Sequence, residues 1–344
     1  MRVLMTADTF GGVWTHAAEL TDQLALRGHD VLLAALGRAP TADQLRMLGA
    51  VDLVTWQGAL EWMPDPWDDV QDACEWLLDV HDEFRPEIVH LNSYAYAALE
   101  FPSPVVVGAH SCVLSWFAAV RGETAPHGWT RYRLNVGRGL RAADAVVAPT
   151  RTMLAALRRH YSFASPCFVI PNGRRTPSPG AKRPLVVAAG RMWDEAKNIA
   201  AVERAARRIS WPVRIAGEGT NAGRIEQSDL DRWLSQASIF VSPALYEPFG
   251  LTALEAAGAG CALVLGDLDS LREVWEDAAL YVDPRDDDEL AGAVQRLIDD
   301  DATRERLATA ARRRAQRFSP ERMANDFCAL YARLALQVAQ PEPA

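Results

Sequence analysis

Short runs of apolar, often β-branched residues alternate along this chain with longer stretches in which apolar residues recur every three or four positions. The short runs predict buried strands and the longer stretches predict amphipathic helices, an alternation typical of parallel sheets. In the first half the predicted strands are 3–7, 31–36, 53–56, 88–91, 105–108, 145–148 and 168–170. In the second half they are 185–189, 213–216, 239–242, 262–265 and 280–282. We therefore predict an α/β protein with two doubly wound parallel sheets.

A segment rich in proline and glycine separates the two series of strands. It predicts a linker over 173–184, because such a composition is unsuited to a core element. The expected organisation is a first domain at 1–172, a second domain at 185–319 and a C-terminal helix at 320–338. This last helix carries an apolar stripe that indicates packing and no cofactor, formed by Met323, Phe327, Leu330, Tyr331 and Leu334.

Composition agrees with an enzyme of two domains. A chain of 344 residues with 49% apolar residues can bury two cores. The net charge of −9 argues against nucleic acid as a partner. Five scattered cysteines without a C-x-x-C pair indicate neither a disulfide framework nor a zinc site. The N-terminal apolar run is too short for a signal peptide and no run is long enough to span a membrane, so we expect a cytoplasmic protein.

The most informative motif is the run Tyr246-Glu247-Pro248-Phe249-Gly250-Leu251-Thr252-Ala253-Leu254-Glu255. Pro248 disfavours helical backbone at Glu247, and Gly250 allows a sharp bend and a close approach to a ligand. The residues from Leu251 onward favour a helix, so backbone N–H groups near Phe249 to Thr252 would form an anion site at its start. A carboxylate on either side of a phosphate site suits a nucleotide sugar, although two solvated glutamates in an ordinary connection are the simpler alternative.

This motif resembles that of the retaining GT-B glycosyltransferases of family 4, in which E-P-F-G-L precedes a helix carrying a second glutamate. The resemblance extends over nearly the whole chain. It implies two Rossmann-like domains facing a cleft, with the last helix crossing back to the first domain. By the same resemblance, Glu247 acts in the chemistry and Glu255 binds the ribose of the donor. Phe249, Gly250, Leu251 and Thr252 then line the donor phosphates.

Two strand-to-helix loops match the same family. Gly11 and Gly12 follow the first strand, where paired glycines permit close approach to a ligand or simply make a tight turn. Nearby His16 is expected to pack on its helix. Arg191 and Lys197 follow the first strand of the second domain, and the resemblance makes them the diphosphate clamp, with Arg191 offering a bidentate fork. Pairing of these cations with Asp194 and Glu195 at the surface is the alternative.

Two further positions are assigned from the resemblance. His110 lies at the carboxyl end of the run Val105–Gly108, where a parallel sheet binds ligands, and the family places a histidine against the transferred sugar there. A hydrogen-bonded core histidine is the other interpretation. Gly217 and Gly219 follow the second strand of the second domain and correspond to a G-x-G that lines the nucleotide. The chain departs from the family after Thr220, where the segment before the helix expected at Asp229 is unusually short.

The acceptor side carries weaker signals. Trp62, Trp67, Trp116 and Phe117 lie near predicted loops of the first domain, where aromatic faces suit sugar rings, although core packing explains them equally well. Arginines outnumber acidic residues over 121–159. Such a basic face fits weak peripheral contact with the inner membrane or a lipid-diphosphate acceptor, and a solvated helix face is the simpler interpretation.

Together these features predict a retaining glycosyltransferase of the hexosyltransferase type. Its co-substrate would be a UDP- or GDP-linked sugar and its acceptor a hydroxyl of a glycan or lipid-linked molecule. No cofactor and no metal are expected, and the acidic runs around Asp267 and Asp287 are interpreted as solvated turns. The alternatives are a catalytically silent nucleotide-sugar-binding subunit or sensor on the same scaffold, and a GT-B epimerase that needs no acceptor.

Overall fold

The computed structural model describes residues 1–220 and 222–339. Within them the chain divides into two compact units. The first contains Met1–Ala118, Glu123–Gly173 and the segment that begins at Pro320. The second contains Ala119–Gly122 and Arg174–Ser319. Each unit is built around its own parallel sheet.

The first unit has a seven-stranded sheet in the order β3-β2-β1-β4-β5-β6-β7, in which every neighbouring pair is parallel. Its strands are β1 Arg2–Asp8, β2 Asp30–Gly37, β3 Asp52–Gln57, β4 Ile88–Leu91, β5 Val105–Gly108, β6 Ala145–Ala148 and β7 Cys167–Val169. Its helices are α1 Gly12–Leu26, α2 Ala42–Arg46, α3 Trp67–Phe84, α4 Val113–Trp116, α5 Thr130–Ala142 and α6 Arg151–His160. The chain reverses strand order beside β1, so the loops after β1 and β4 flank a switch point of the kind that binds ligands.

The second unit has a five-stranded parallel sheet in the order β12-β11-β10-β8-β9. Its strands are β8 Arg183–Ala189, β9 Val213–Ala216, β10 Ala237–Ser242, β11 Ala262–Gly266 and β12 Leu280–Val282. Its helices are α7 Ile199–Ala206, α8 Gln227–Gln236, α9 Leu251–Gly258, α10 Asp269–Trp275, α11 Asp287–Asp299 and α12 Asp301–Ala315. The two parallel sheets confirm the predicted fold class.

The central strands are apolar on both faces because helices cover both sides of each sheet. Val3, Leu4 and Met5 of β1 are fully buried, and Ala262 to Leu265 of β11 are likewise inaccessible. Such continuous apolar runs are the pattern of parallel strands, and they explain why the central strands could be located from the sequence.

The last helix, α13 Pro320–Ala339, belongs to the first unit. The five apolar positions of its predicted stripe are all buried, and they share a core with α1 and β1. The stripe therefore packs in a core, as predicted. It holds this C-terminal helix against N-terminal elements of the first unit.

Several boundaries differ from the sequence prediction. Strand β8 begins at Arg183, inside the predicted linker, because a proline at the second position of a strand is tolerated at a sheet edge or strand start. Helix α8 begins at Gln227, two residues before the expected Asp229. The acidic runs are only in part the predicted solvated turns: Asp267 and Asp286 are exposed and precede helices, whereas Asp269 and Asp287 begin helices. Asp286 also caps α11, and Asp287 pairs with Arg204. Carboxylates at helix N-termini complement the helix dipole, which the local sequence alone did not reveal.

Candidate active site

The E-P-F-G-L motif occupies the connection between β10 and α9 in the second unit. Helix α9 begins at Leu251, as predicted, and Gly250 precedes it with a φ of 91°, a conformation that favours glycine. Among the described residues, no side chain caps this helix start. Backbone N–H groups at the N-terminus of α9 are therefore oriented as an anion site, with Leu251 and Thr252 only partly buried.

Phe249 has a different role from the rest of the motif. Its ring is 2% exposed and packs edge-on against Phe318, with 5.5 Å between the ring centroids. The side chain is therefore a core residue of the second unit. Only its backbone could contribute to the predicted donor site.

Glu247 lies before the helix and is held by two contacts. Its Oε1 accepts a hydrogen bond of 3.0 Å from the backbone N–H of Gly250, and its Oε2 lies 2.6 Å from Nζ of Lys197. These contacts bring together the predicted catalytic glutamate and one cation of the predicted clamp. No local spacing pattern could predict this pair, because the two residues are fifty positions apart.

The loop after β8 holds the other predicted cation. Arg191 donates to Asp194 over 2.7 Å, which is the surface pairing considered as the alternative, and its guanidinium lies 4.7 Å from the ring centroid of Trp193. Its Nε atom is nevertheless buried without a hydrogen-bond partner among the described residues. A buried N–H of this kind costs free energy unless an acceptor reaches it. Arg191 therefore retains an unused donor although Asp194 is engaged.

Gly217 and Gly219 shape the loop beside Arg191. A Cβ atom at Gly217 would lie 1.8 Å from the carbonyl oxygen of Gly190, and both glycines have positive φ angles, of 144° and 85°. Backbone hydrogen bonds of 2.9 Å join Gly190 to Ala216 and Met192 to Glu218. Glycine at 217 is thus required for the two loops to pack together, whatever they bind.

Glu255, the predicted ribose ligand, forms a buried ion pair that the sequence did not reveal. Its Oε1 lies 2.7 Å from Nε of Arg174, and both side chains are less than a tenth exposed. Gln227 donates to the same oxygen over 3.2 Å. Arg174 begins the longer segment of the second unit and lies within the predicted linker. The composition of that linker predicted a loop and did not indicate a buried partner for Arg174.

Lys197 is distinctive because this chain contains few lysines. The chain contains two lysines, Lys182 and Lys197, among 36 basic residues. Lys182 donates to the carbonyl oxygens of Leu234, Ala237 and Ala259, so it has a structural role in the second unit. Lys197 is therefore the only lysine that pairs with a residue of the predicted site.

The remaining predicted residues lie in the first unit. Gly11 and Gly12 are exposed, and Gly11, with a φ of 74°, precedes α1 without a side-chain cap. His16 is buried on α1, as expected, and its ring centroid lies 4.4 Å from that of His110. Nε2 of His110 lies 2.7 Å from Oδ1 of Asn92, and desolvation lowers the pKa of His110 to about 4. His110 is thus a neutral, hydrogen-bonded side chain at the carboxyl end of its sheet.

Asn92 is the main residue of this cluster that no sequence motif indicated. It directly follows β4 and is 8% exposed. Its position at the carboxyl end of a strand next to the switch point is the signal that could have identified it.

The aromatic and basic residues considered for the acceptor side have mixed environments. Trp67 is 6% exposed and belongs to the core, whereas Trp62, Trp116 and Phe117 are partly buried. Arg131, Arg133, Arg138 and Arg141 are exposed on α5, as are Arg158 and Arg159 on α6. Within residues 1–220 and 222–339, no helix is long and apolar enough to cross a membrane.

Comparison with known proteins gives these features a family. Residues 10–176 match Glycosyltransferase Family 4, and residues 220–314 match Glycosyl transferases group 1. Glycogen synthase from Mycobacterium tuberculosis is 28% identical over 387 aligned positions, which cover 91% of this chain and 90% of that protein. O-antigen chain mannosyltransferase B from Escherichia coli is 26% identical over an alignment that covers 73% of this chain and 58% of that protein.

Solved structures show the same architecture. Sucrose-phosphate synthase from Thermosynechococcus elongatus superposes with a TM-score of 0.81 at 20% identity, covering 99% of this chain and all of that one. The Anabaena protein HepE in complex with UDP-glucose gives a TM-score of 0.77 at 17% identity and covers 97% of this chain and 100% of its own. The fold and the matched segments together define a glycosyltransferase with the GT-B fold. This chain belongs to the group 1 glycosyltransferases, with a family 4 N-terminal domain.

Proposed function

We propose that this glycosyltransferase moves a sugar from a UDP- or GDP-linked donor to a hydroxyl acceptor, with retention of the anomeric configuration and without a metal. The observation that carries the proposal is the grouping at the start of α9. There, Lys197 and Glu247 form an ion pair of 2.6 Å beside an uncapped helix N-terminus. A cation, backbone N–H groups and a carboxylate are the groups needed to bind a diphosphate next to a sugar. The solved HepE complexes, with UDP and with UDP-glucose, support this donor class.

In the proposed reaction, negative charge grows on the diphosphate as the glycosidic bond breaks. Arg191, Lys197 and the N–H groups from Gly250 to Thr252 stabilise that charge. The oxygen of the acceptor hydroxyl attacks the anomeric carbon on the face that the diphosphate leaves, and the departing diphosphate oxygen takes the proton of that hydroxyl. Glu247 stabilises positive charge at the anomeric carbon, and Glu255 accepts hydrogen bonds from the ribose. His110 makes a hydrogen bond to the transferred sugar.

The lysine content provides a direct test of donor binding. Reductive methylation with ¹³C-formaldehyde labels amines, and the chain offers only the α-amino group of Met1, Lys182 and Lys197. Thermal-shift screening first selects the nucleotide, because a ligand at a hundredfold its Kd stabilises the fold by about 2.7 kcal/mol. We expect that nucleotide to shift the NMR signal of Lys197, identified by its loss in Lys197→Arg. The signal of the α-amino group serves as the internal control.

A nucleotide that stabilises the protein while leaving the Lys197 signal unchanged would place the diphosphate elsewhere. Catalysis is tested separately by release of free nucleoside diphosphate from UDP-glucose, UDP-N-acetylglucosamine and GDP-mannose. Tight binding with no turnover of any donor, with or without a panel of acceptors, would favour the silent subunit. Release of a free epimer without acceptor dependence would identify the epimerase.

Chelation should leave turnover unchanged. In this proposal the diphosphate charge is met by Arg191, Lys197 and backbone dipoles, so no divalent cation is required. The measurement is the initial rate before and after incubation with EDTA, with added magnesium as the second arm. Loss of activity that magnesium or manganese restores would refute the metal-independent reaction.

The exposed arginines of α5 and α6 fit weak peripheral contact with an anionic membrane surface. This contact is part of the proposal and rests on charge complementarity alone. The same face would suit an acceptor that carries a lipid diphosphate.

A further inference from the structure

Asn92 and His110 lie at the carboxyl ends of the neighbouring strands β4 and β5. Nε2 of His110 is 2.7 Å from Oδ1 of Asn92. The hydrogen in this contact could belong to either residue, because an imidazole nitrogen and a side-chain amide can each donate or accept. The other contacts of Asn92 resolve the question.

The carboxamide of Asn92 can take only one orientation. Its Nδ2 donates a hydrogen bond of 2.7 Å to the backbone carbonyl oxygen of Thr6, which can only accept. Oδ1 therefore faces His110, and because a carbonyl oxygen cannot donate, Nε2 of His110 must carry the hydrogen. In a neutral imidazole the other nitrogen, Nδ1, then has a free lone pair.

The surrounding structure holds Asn92 and His110 in place. The backbone N–H of Asn92 donates to Oγ1 of Thr6 over 3.0 Å, and Oη of Tyr94 donates to the carbonyl oxygen of Ser111 over 2.6 Å. A Cβ atom at Gly108 would lie 2.5 Å from Oδ1 of Asn92, so glycine at this position leaves the room that the amide needs. Nδ1 of His110 makes no hydrogen bond to any residue that the structure describes.

We propose that Asn92 is a positioning residue that fixes His110 as the tautomer protonated at Nε2, so that Nδ1 accepts a hydrogen bond from a hydroxyl of the transferred sugar. The inference rests on the proposed contact between His110 and that sugar. It gives the contact a direction, because His110 would require a hydroxyl donor and would discriminate against a sugar that lacks one. A site built to hydrogen-bond a hydroxyl rejects the analogue without it.

The tautomer can be measured without any activity. Long-range ¹H–¹⁵N NMR of the full chain labelled at histidine distinguishes a protonated ring nitrogen from one with a lone pair, and loss of the signal in His110→Gln assigns it. We expect protonated Nε2 in the wild type and in Asn92→Asp, and a mixture of tautomers in Asn92→Leu. Protonated Nδ1 in the wild type, or an unchanged tautomer in Asn92→Leu, would overturn the proposal.

Kinetics then separate positioning from a purely structural role. A carboxylate in Asn92→Asp keeps the acceptor and stabilises the imidazolium, so the acidic limb of kcat/KM should move up by about one pH unit or more. Asn92→Leu should lose activity at every pH without that movement. The ionisable groups facing His110 are His16 on α1 and His90 on β4, with Tyr331 of α13 bonded to His90, and they are the same in all variants.

Asn325→Asp is the matched control, because Asn325 is exposed and its Oδ1 accepts hydrogen bonds from Arg27 that aspartate can keep. It should retain the wild-type rate and pH profile. Equal losses with unchanged pH profiles in both Asn92 variants would show a structural role only and refute the positioning. A normal rate in His110→Gln would refute the proposed contact between His110 and the sugar. The NMR measurement would still determine the tautomer of His110.

Discussion

Replacing Glu247 by glutamine should reduce kcat by about a hundredfold while leaving nucleotide affinity almost unchanged, as expected for a group that acts on the transition state. The substitution preserves an oxygen that can accept from the N–H of Gly250. It removes the negative charge that now lies 2.6 Å from Nζ of Lys197. The decrease in kcat should therefore come from weaker stabilisation of positive charge at the anomeric carbon, because the loop keeps its geometry.

The measurements are kcat from nucleotide release and Kd for the free nucleoside diphosphate by calorimetry. Glu305→Gln is the control, because this exposed glutamate on α12 has the same chemistry away from the loop. Mass spectrometry after donor exposure without acceptor tests covalent chemistry. A glycosylated Glu247 peptide would replace the proposed front-side route with a double displacement.

Glu255→Gln should show the opposite behaviour and supplies the contrast. We expect weaker binding of donor and free nucleotide alike, together with a loss of stability of about 3 kcal/mol because the buried guanidinium of Arg174 would lose the negative charge of Glu255. Arg174→Gln breaks the same pair while keeping Glu255, so it should lose similar stability and less affinity. Urea unfolding and calorimetry separate the two effects. Equal loss of nucleotide affinity in Glu247→Gln and Glu255→Gln would contradict this division of roles.

Removal of either clamp cation should have a comparably large effect on rate. Arg191→Ala and Lys197→Ala are each expected to lower kcat by about a hundredfold, or about 2.7 kcal/mol, because the diphosphate gains charge in the transition state. Arg313→Ala, an exposed arginine of α12, is the control for charge alone. Lys197→Arg should recover part of the rate. Near-normal rates in both alanine variants would mean that these two residues do not stabilise the leaving group.

The contact between Lys197 and Glu247 adds a sharper test. Residues in direct contact have non-additive effects, whereas distant residues act independently. The double variant of Lys197→Ala and Glu247→Gln should therefore lose less rate than the product of the single losses. Strict multiplicativity would indicate that the observed ion pair has no part in the reaction.

The sequence alone revealed the central strands because parallel strands buried on both faces must be continuously apolar. It also located the start of α9, since Pro248 and Gly250 restrict the backbone locally and the following residues favour a helix. Gly217 was selected from the family resemblance, and the structure adds the close contact with Gly190 that requires glycine there. These features depend on neighbouring residues, so a local pattern is sufficient to predict them.

Only the tertiary structure decided which side chains meet. The pairs that form are Lys197 with Glu247, Arg174 with Glu255, and Asn92 with His110, and the members of each pair are separated by many residues. The first and third pairs join loops that follow different strands, whereas the second joins the linker to α9. It also placed the ring of Phe249 in the core. Local propensity carries no information on such long-range contacts, because their geometry depends on strand order and register. The sequence therefore determined the fold class and the candidate residues, and the folded chain determined their hydrogen-bond and charge partners.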